Sequence, residues 1–321
     1  MTTARRLLCL AALALVTAAC ADQVKPVPET KDRLPDAKME RLAAQPMAVV
    51  RSEGVAAGKA AFERLLADTR MRKGPRSVEA ADLLTAFAVE LYLENPEPGS
   101  AEYEAAREYL KDAVPAYVAA FGPNHPEVAL ALNTRADIER KQSPDDPSPL
   151  VDSLLQQALR IRMKSLGPSN AETAANLAQL ASISALPKRL ERDPNGLATA
   201  DSYYRRAITA AVPGPEGDER SNKAALELRL AELHARSGNP RVALAEARKA
   251  LAISGNWTPT YRRCQLVESE LGDFVELMAA RGMGAEAEAI VPKGRDSGCS
   301  GPTLGEELRG SLRRLFGFEP S

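Results

Sequence analysis

Two histidines, four cysteines and a scattered set of carboxylates are the residues of this 321-residue chain with chemistry to offer. His125 lies in the turn Gly122-Pro-Asn-His-Pro126, and His234 lies on an Ala/Leu-rich stretch. Imidazole serves as general base or metal ligand near neutral pH, but a metal site needs further ligands at short, fixed spacings. Neither histidine has them, and both read as structural. No Gly-rich phosphate loop, Gly-x-Ser-x-Gly elbow or metal-ligand cluster occurs. The carboxylates are dispersed along the chain as on a solvated helix face. These residues predict no catalytic group, no metal and no cofactor.

The elements that would position any site are marked by a repeated signal. Gly-Pro pairs stand at Gly74-Pro75, Gly122-Pro123, Gly167-Pro168 and Gly214-Pro215, in steps of 48, 45 and 47 residues. Each pair closes a helical segment, and an Ala/Leu-rich segment follows. A fixed period of this size predicts stacked helix pairs, whose working part is an extended surface rather than a pocket. Only 4% of residues are aromatic, and Ala, Leu, Glu and Arg dominate, which suits helix packing and not a β-sandwich. With 42 basic against 43 acidic residues, no electrostatic footprint for nucleic acid is present.

Within the repeats the helix starts are legible. Val78, Pro126, Ala171 and, after about four extra residues, Ala224 open the first helices of successive pairs. In the first three, Glu79, Glu127 and Glu172 stand four residues after the Gly-Pro proline, where an acid complements the positive end of the helix dipole. Return helices carry small residues seven apart: Ala106/Ala113, Val151/Ala158, Ala200/Ala207 and Ala243/Ala250. Seven residues are close to two turns, so both members share a face on which a neighbouring helix can approach closely. Leu110, Leu155 and Tyr204 are the bulky fillers between them.

Gly122-Pro-Asn-His-Pro-Glu-Val-Ala129, followed by Leu132-Asn133, resembles the long tetratricopeptide units of kinesin light chains and related bacterial proteins. Leu166-Gly-Pro-Ser-Asn-Ala-Glu-Thr-Ala174 is a looser copy, and Leu230-Ala-Glu-Leu-His-Ala-Arg-Ser-Gly-Asn-Pro-Arg-Val-Ala243 resembles the standard 34-residue pattern. Two departures stand out: Arg135 occupies a leucine position of the family, and Leu186–Leu197 is an insertion within the third unit. The resemblance implies an all-α tetratricopeptide-type solenoid of antiparallel helix pairs over residues 78–254 with a C-terminal capping helix. It also implies a concave groove lined by the first helices, whose ligand-reaching positions fall on Thr134, Asp137, Lys141, Gln179, Ser182, Arg229, Glu232 and Arg236. Such a polar, mixed-sign lining pairs with peptide carboxylates and backbone groups.

The N-terminus is a processing segment, residues 1–19. Arg5 and Arg6 precede the apolar run Leu7–Val16, which is too short to span a bilayer and reads as a secretion signal. Thr17-Ala18-Ala19-Cys20 resembles the lipobox of bacterial lipoproteins, with Thr17 where that family usually places Leu or Val. The resemblance implies cleavage before Cys20, its lipidation, and membrane attachment through that anchor, with the body facing the periplasm and the outer membrane favoured. The alternative is an ordinary signal cleaved after Ala19 or Ala21. Removing residues 1–19 takes away two arginines and no acid, leaving 40 basic against 43 acidic residues. Residues 20–45, with Pro26, Pro28 and Pro35 among charges, read as a disordered tether, and a first helix is expected from near Pro46 to about Arg72 within a 46–77 region.

Cys264 and Cys299 remain as an even pair in an oxidising compartment. Bridged, they would close a 36-residue loop and add about 3–4 kcal/mol in the chain-entropy view; two free thiols are the alternative. Both lie in the region 255–321, where Tyr261–Ala280 reads as a capping helix, Gly284–Ile290 as a short helix and Leu304–Phe318 as an amphipathic stretch. That stretch either docks on the body or contacts a partner or membrane. The expected function is a non-enzymatic scaffold of the bacterial cell envelope that binds a partner protein or peptide. The competing reading is a periplasmic enzyme module acting on the cell wall from the C-terminal region.

Overall fold

The computed structural model describes residues 37–94, 96–211, 222–254 and 271–290. The signal segment, Cys20, Gly214-Pro215, Cys264, Cys299 and Leu304–Phe318 lie outside them. Every regular element described is an α-helix, and the helices pack in neighbouring pairs. Two compact units divide the described residues, one ending at Ala211 and one beginning at Asn222.

In the first unit α1 spans Ala37–Glu53, α2 Val55–Lys73, α3 Val78–Leu93, α4 Ala101–Phe121, α5 Pro126–Lys141 and α6 Pro149–Ser165. Then follow α7 Ala171–Ser184, the short α8 Pro187–Arg192, and α9 Gly196–Ala210. The pairs are α1/α2, α3/α4, α5/α6 and α7/α9. The insertion therefore adds α8 between the two members of a pair without separating them. In the second unit α10, Lys223–Arg236, pairs with α11, Pro240–Ser254, and α12, Leu271–Ala279, pairs with α13, Gly284–Glu288.

Each described Gly-Pro pair ends one helix and lets the next start. Gly74, Gly122 and Gly167 have φ of 104°, 85° and 85°, a left-handed region that glycine enters without steric cost. Their amides donate to the carbonyls of Arg70, Val118 and Arg162 at 2.9, 2.9 and 3.1 Å, satisfying acceptors the helix end leaves over. Proline follows and has no N–H with which to continue the helix. The next helix is then capped: Ser77 Oγ accepts from the Ala80 amide, His125 Nδ1 from Glu127, and Asn170 Oδ1 from Glu172. Such a cap is worth about 1 kcal/mol.

All eight small residues of the return helices are buried, with exposures of 0–1%, and so are Leu110, Leu155 and Tyr204. Alanine faces thus let the helices of each pair come close, and long side chains fill the space between turns. In the first unit Phe62, Phe87 and Tyr109 meet from three helices, with ring centroids 4.3, 4.7 and 5.5 Å apart. A second regularity joins one pair to the next. Hydrogen-bonded side chains recur at separations of 42–46 residues: Arg51 with Glu94, Glu63 with Tyr109, Asp137 and Asn133 with Gln179, and Arg189 with the Pro147 carbonyl. In the second unit Arg281 donates to the Arg236 carbonyl across 45 residues. These separations fall close to the spacing of the Gly-Pro pairs.

The start of the body differs from expectation. The first helix begins at Ala37, not near Pro46, so residues 37–45 of the expected tether are helical, and Gly54 divides the segment into α1 and α2. Ala43, Pro46 and Met47 are buried at helical spacing, and α1 packs against both α2 and α3. Tertiary burial outweighs the mid-helix proline, which costs about 3 kcal/mol in isolation. In the second unit, Leu271, Phe274 and Met278 of α12 pack with Ala224, Leu228, Ala231 and Ala235 of α10, while Asp273 and Glu276 face solvent. The expected helix from Tyr261 is described only from Leu271, and the expected short helix at Gly284 is present as α13.

α1 and α2 cross at Gly58. A Cβ there would lie 2.1 Å from Val50 Cγ2, 3.0 Å from the Val50 amide nitrogen and 3.1 Å from the Pro46 carbonyl oxygen. Valine is stiff and the other two atoms are backbone, so the helices themselves must separate. Gly58→Ala is therefore expected to lower stability by about 1–3 kcal/mol despite alanine's better helix propensity. Urea unfolding would check it, and a stabilised variant would contradict the crossing.

Candidate functional site

The residues expected to line a groove are mostly turned to the protein itself. In the first unit Thr134, Asp137, Gln179 and Ser182 are buried, with exposures of 8, 4, 6 and 7%. Gln179 on α7 accepts from Asn133 Nδ2 at 2.8 Å and donates through Nε2 to Asp137 Oδ1 at 3.0 Å, both on α5. Thr134 Oγ1 donates to the Leu130 carbonyl at 3.0 Å, and Ser182 Oγ lies 3.4 Å from the Tyr204 hydroxyl. The space left beside Asp137, Gln179 and Ser182 is about 10 Å³, too small for a ligand group to enter. Asn133, Asp137 and Gln179 form a polar seam between the first helices α5 and α7, while Thr134 bonds within α5 and Ser182 meets α9. Lys141, at the end of α5, is partly exposed, with its ammonium 5.4 Å from the centre of the Tyr92 ring.

In the second unit Glu232 is 7% exposed and accepts from Arg229 Nη1 at 3.3 Å, so this pair closes on itself along α10. Arg236, partly exposed, ends that helix, and its carbonyl takes the hydrogen bond from Arg281. His125 is a helix cap and stacks on Phe121 at 4.2 Å. Among the described residues no group of three or more His, Cys, Asp or Glu could hold a metal ion. No described helix is long and apolar enough to cross a membrane.

The dispersed carboxylates are not all a solvated face. Asp82, Asp137, Glu139, Glu227, Glu232 and Glu246 are at most 8% exposed. Burial of a charge is tolerable only with partners. Tyr117 donates to Asp82 at 2.8 Å, and Arg107 holds Glu139 through two nitrogens at 3.0 and 2.8 Å. Arg135, at the family's leucine position, lies 3.8 Å from the same Glu139. Burial pushes the Tyr103 phenol up to about 12, outweighing the nearby Arg107, so it remains a donor to the Ile138 carbonyl at 2.8 Å. Tyr109 and Tyr117 are raised for the same leading reason.

Sequence reasoning missed Arg162. Its side chain is 1% exposed and joins α6 to α7, donating to the Glu172 carbonyl at 3.2 Å and to Asn176 Oδ1 at 3.3 Å, with the Glu172 carboxylate 2.9 Å away. The signal was present: Leu155, Ala158, Leu159 and Arg162 share one helix face, so a cation stands at a core register. Glu246 gave the same signal, on the face of Ala243, Ala247 and Ala250.

No protein-family model matches the chain, and no curated protein matches it. What the described residues define is an all-α arrangement of helix pairs, in which the first helices α5 and α7 are tied together by buried polar side chains.

Two predictions follow from these contacts. Replacing Gln179 with leucine leaves Asn133 and Asp137 buried without that partner, at a cost of about 2–3 kcal/mol. Chemical unfolding would read it; unchanged stability would mean that the seam carries no load. The second concerns Glu227, which burial, and then the Glu246 carboxylate, push above the ordinary glutamate range, against the pull of Lys249. A raised folded value means that the stabilisation is fully present below the unfolded value and is lost as pH rises through the folded one. Glu227→Gln should raise the thermal midpoint at neutral pH and flatten its decline above the ordinary glutamate range.

Proposed function

We propose that the chain is a tetratricopeptide-type α-solenoid acting as a non-enzymatic interaction scaffold of the bacterial cell envelope. A partner protein or extended peptide binds along the first helices of its pairs, and the lipidated Cys20 holds the body at a membrane. The observation that carries the reading is the recurrence of contacts one repeat apart. Gln179 bonds to residues 42 and 46 positions earlier, so α5 and α7 lie side by side as successive first helices. A surface built from repeated first helices is the form in which stacked helix pairs bind. Burial removes Thr134, Asp137, Gln179 and Ser182 from direct contact in this reading. Arg229, paired with Glu232, is withdrawn as well, while Lys141 in the first unit and Arg236 in the second are partly exposed.

Photocrosslinking in intact cells tests this. A photoreactive residue at Lys141 or Arg236 is expected to capture a discrete partner. The exposed return-helix positions Arg160 and Arg248 are expected to capture none. In the same cells Cys20→Ala should move the protein out of the membrane fraction. Equal capture from all four positions would remove the case for binding along the first helices, and unchanged fractionation would remove the anchor.

A further inference from the structure

A cleft of about 490 Å³ opens in the first unit beneath the insertion, within the size range of small-ligand sites. The α5–α6 connection supplies Asp146 and Pro147, the first turn of α6 Asp152, α8 Arg189 and Arg192, and the start of α9 Thr199. α8 has no buried residue. Polar contacts tie it across the cleft instead: Arg189 holds Asp152 at 2.7 Å and the Pro147 carbonyl at 2.8 Å, and Arg192 pairs with Asp146. Repeat packing gives no reason for this arrangement, since α7 pairs with α9 without α8.

The charges identify what would enter. A lone anion would meet Asp146, Asp152 and Asp193 beside the guanidinium groups, and a lone cation would meet the arginines. A ligand carrying both an ammonium or guanidinium group and a carboxylate replaces each existing pair in kind. Both pairs are partly exposed, with side-chain exposures of 21 and 27% for Arg189–Asp152 and 61 and 38% for Arg192–Asp146. Such pairs contribute little individually, so exchanging them costs little. We infer that this cleft is a binding site for a zwitterionic, peptide-like ligand, with Arg189 and Arg192 taking its carboxylate and Asp146 and Asp152 its cation. The site is separate from the first-helix surface proposed above and does not depend on it.

Amide NMR of the full chain would test this with the tetrapeptide Gly-Lys-Gly-Glu, and with succinate and putrescine as single-sign controls. The expected result is saturable shifts at Gly196 and Thr199 with the tetrapeptide, weaker binding of each control, and loss of affinity as salt is raised. Arg192→Gln and Asp146→Asn alter exposed pairs and should each weaken the tetrapeptide by about tenfold, with an unchanged helical circular dichroism spectrum. Absence of saturable shifts would overturn the inference. So would equal binding of succinate or putrescine, or shifts that neither substitution alters.

Discussion

The close approach of paired helices is the constraint on which the other features rest. Ala106/Ala113, Val151/Ala158, Ala200/Ala207 and Ala243/Ala250 put a small, fully buried face on the second helix of four of the pairs. With so little side chain between backbones, the spacing of the pair is set by sterics, and larger residues such as Leu110 and Tyr204 have defined gaps to fill. The chain is poor in aromatics, so packing depends on this fit more than on large buried rings. Phe62, Phe87 and Tyr109 form one cluster of rings in the first unit.

Alanine packing within pairs leaves the joining of pairs to other interactions, and here polar side chains take over. Asn133, Asp137 and Gln179 link α5 to α7, Arg162 links α6 to α7, and Arg107 with Glu139 links α4 to α5. Buried hydrogen bonds of this kind add modestly to net stability. A shifted register would leave buried donors and acceptors unmet, at about 1–3 kcal/mol each. They therefore act mainly on alignment. The turns between pairs complete the geometry, because glycine at positive φ and the following proline end one helix sharply and leave a capping residue to start the next.

Much of this was legible in the residues. The Gly-Pro pairs located the turns, the first-turn acids located the starts of α3, α5 and α7, and the seven-residue small pairs located the buried faces. The reading weakened where a local signal and a tertiary one disagreed. Pro26, Pro28 and Pro35 argued for an extended tether up to residue 45, yet Ala43, Pro46 and Met47 form a buried helical face once α2 and α3 lie against it.

By itself the sequence determined that the repeat body is helical, where the first helices of its repeats begin, and which small faces the return helices bury. Those properties depend on residues within a few turns of one another. It did not determine the fate of the polar side chains on the first helices. Asp137 and Gln179 look like solvent-facing positions on an isolated helix, and only the neighbouring helix, about 45 residues away, makes them partners. The cleft under α8 was equally hidden, because its walls come from two repeats. Whether a charge is solvated, paired or poised at a site is set by what packs over it, and that information is tertiary.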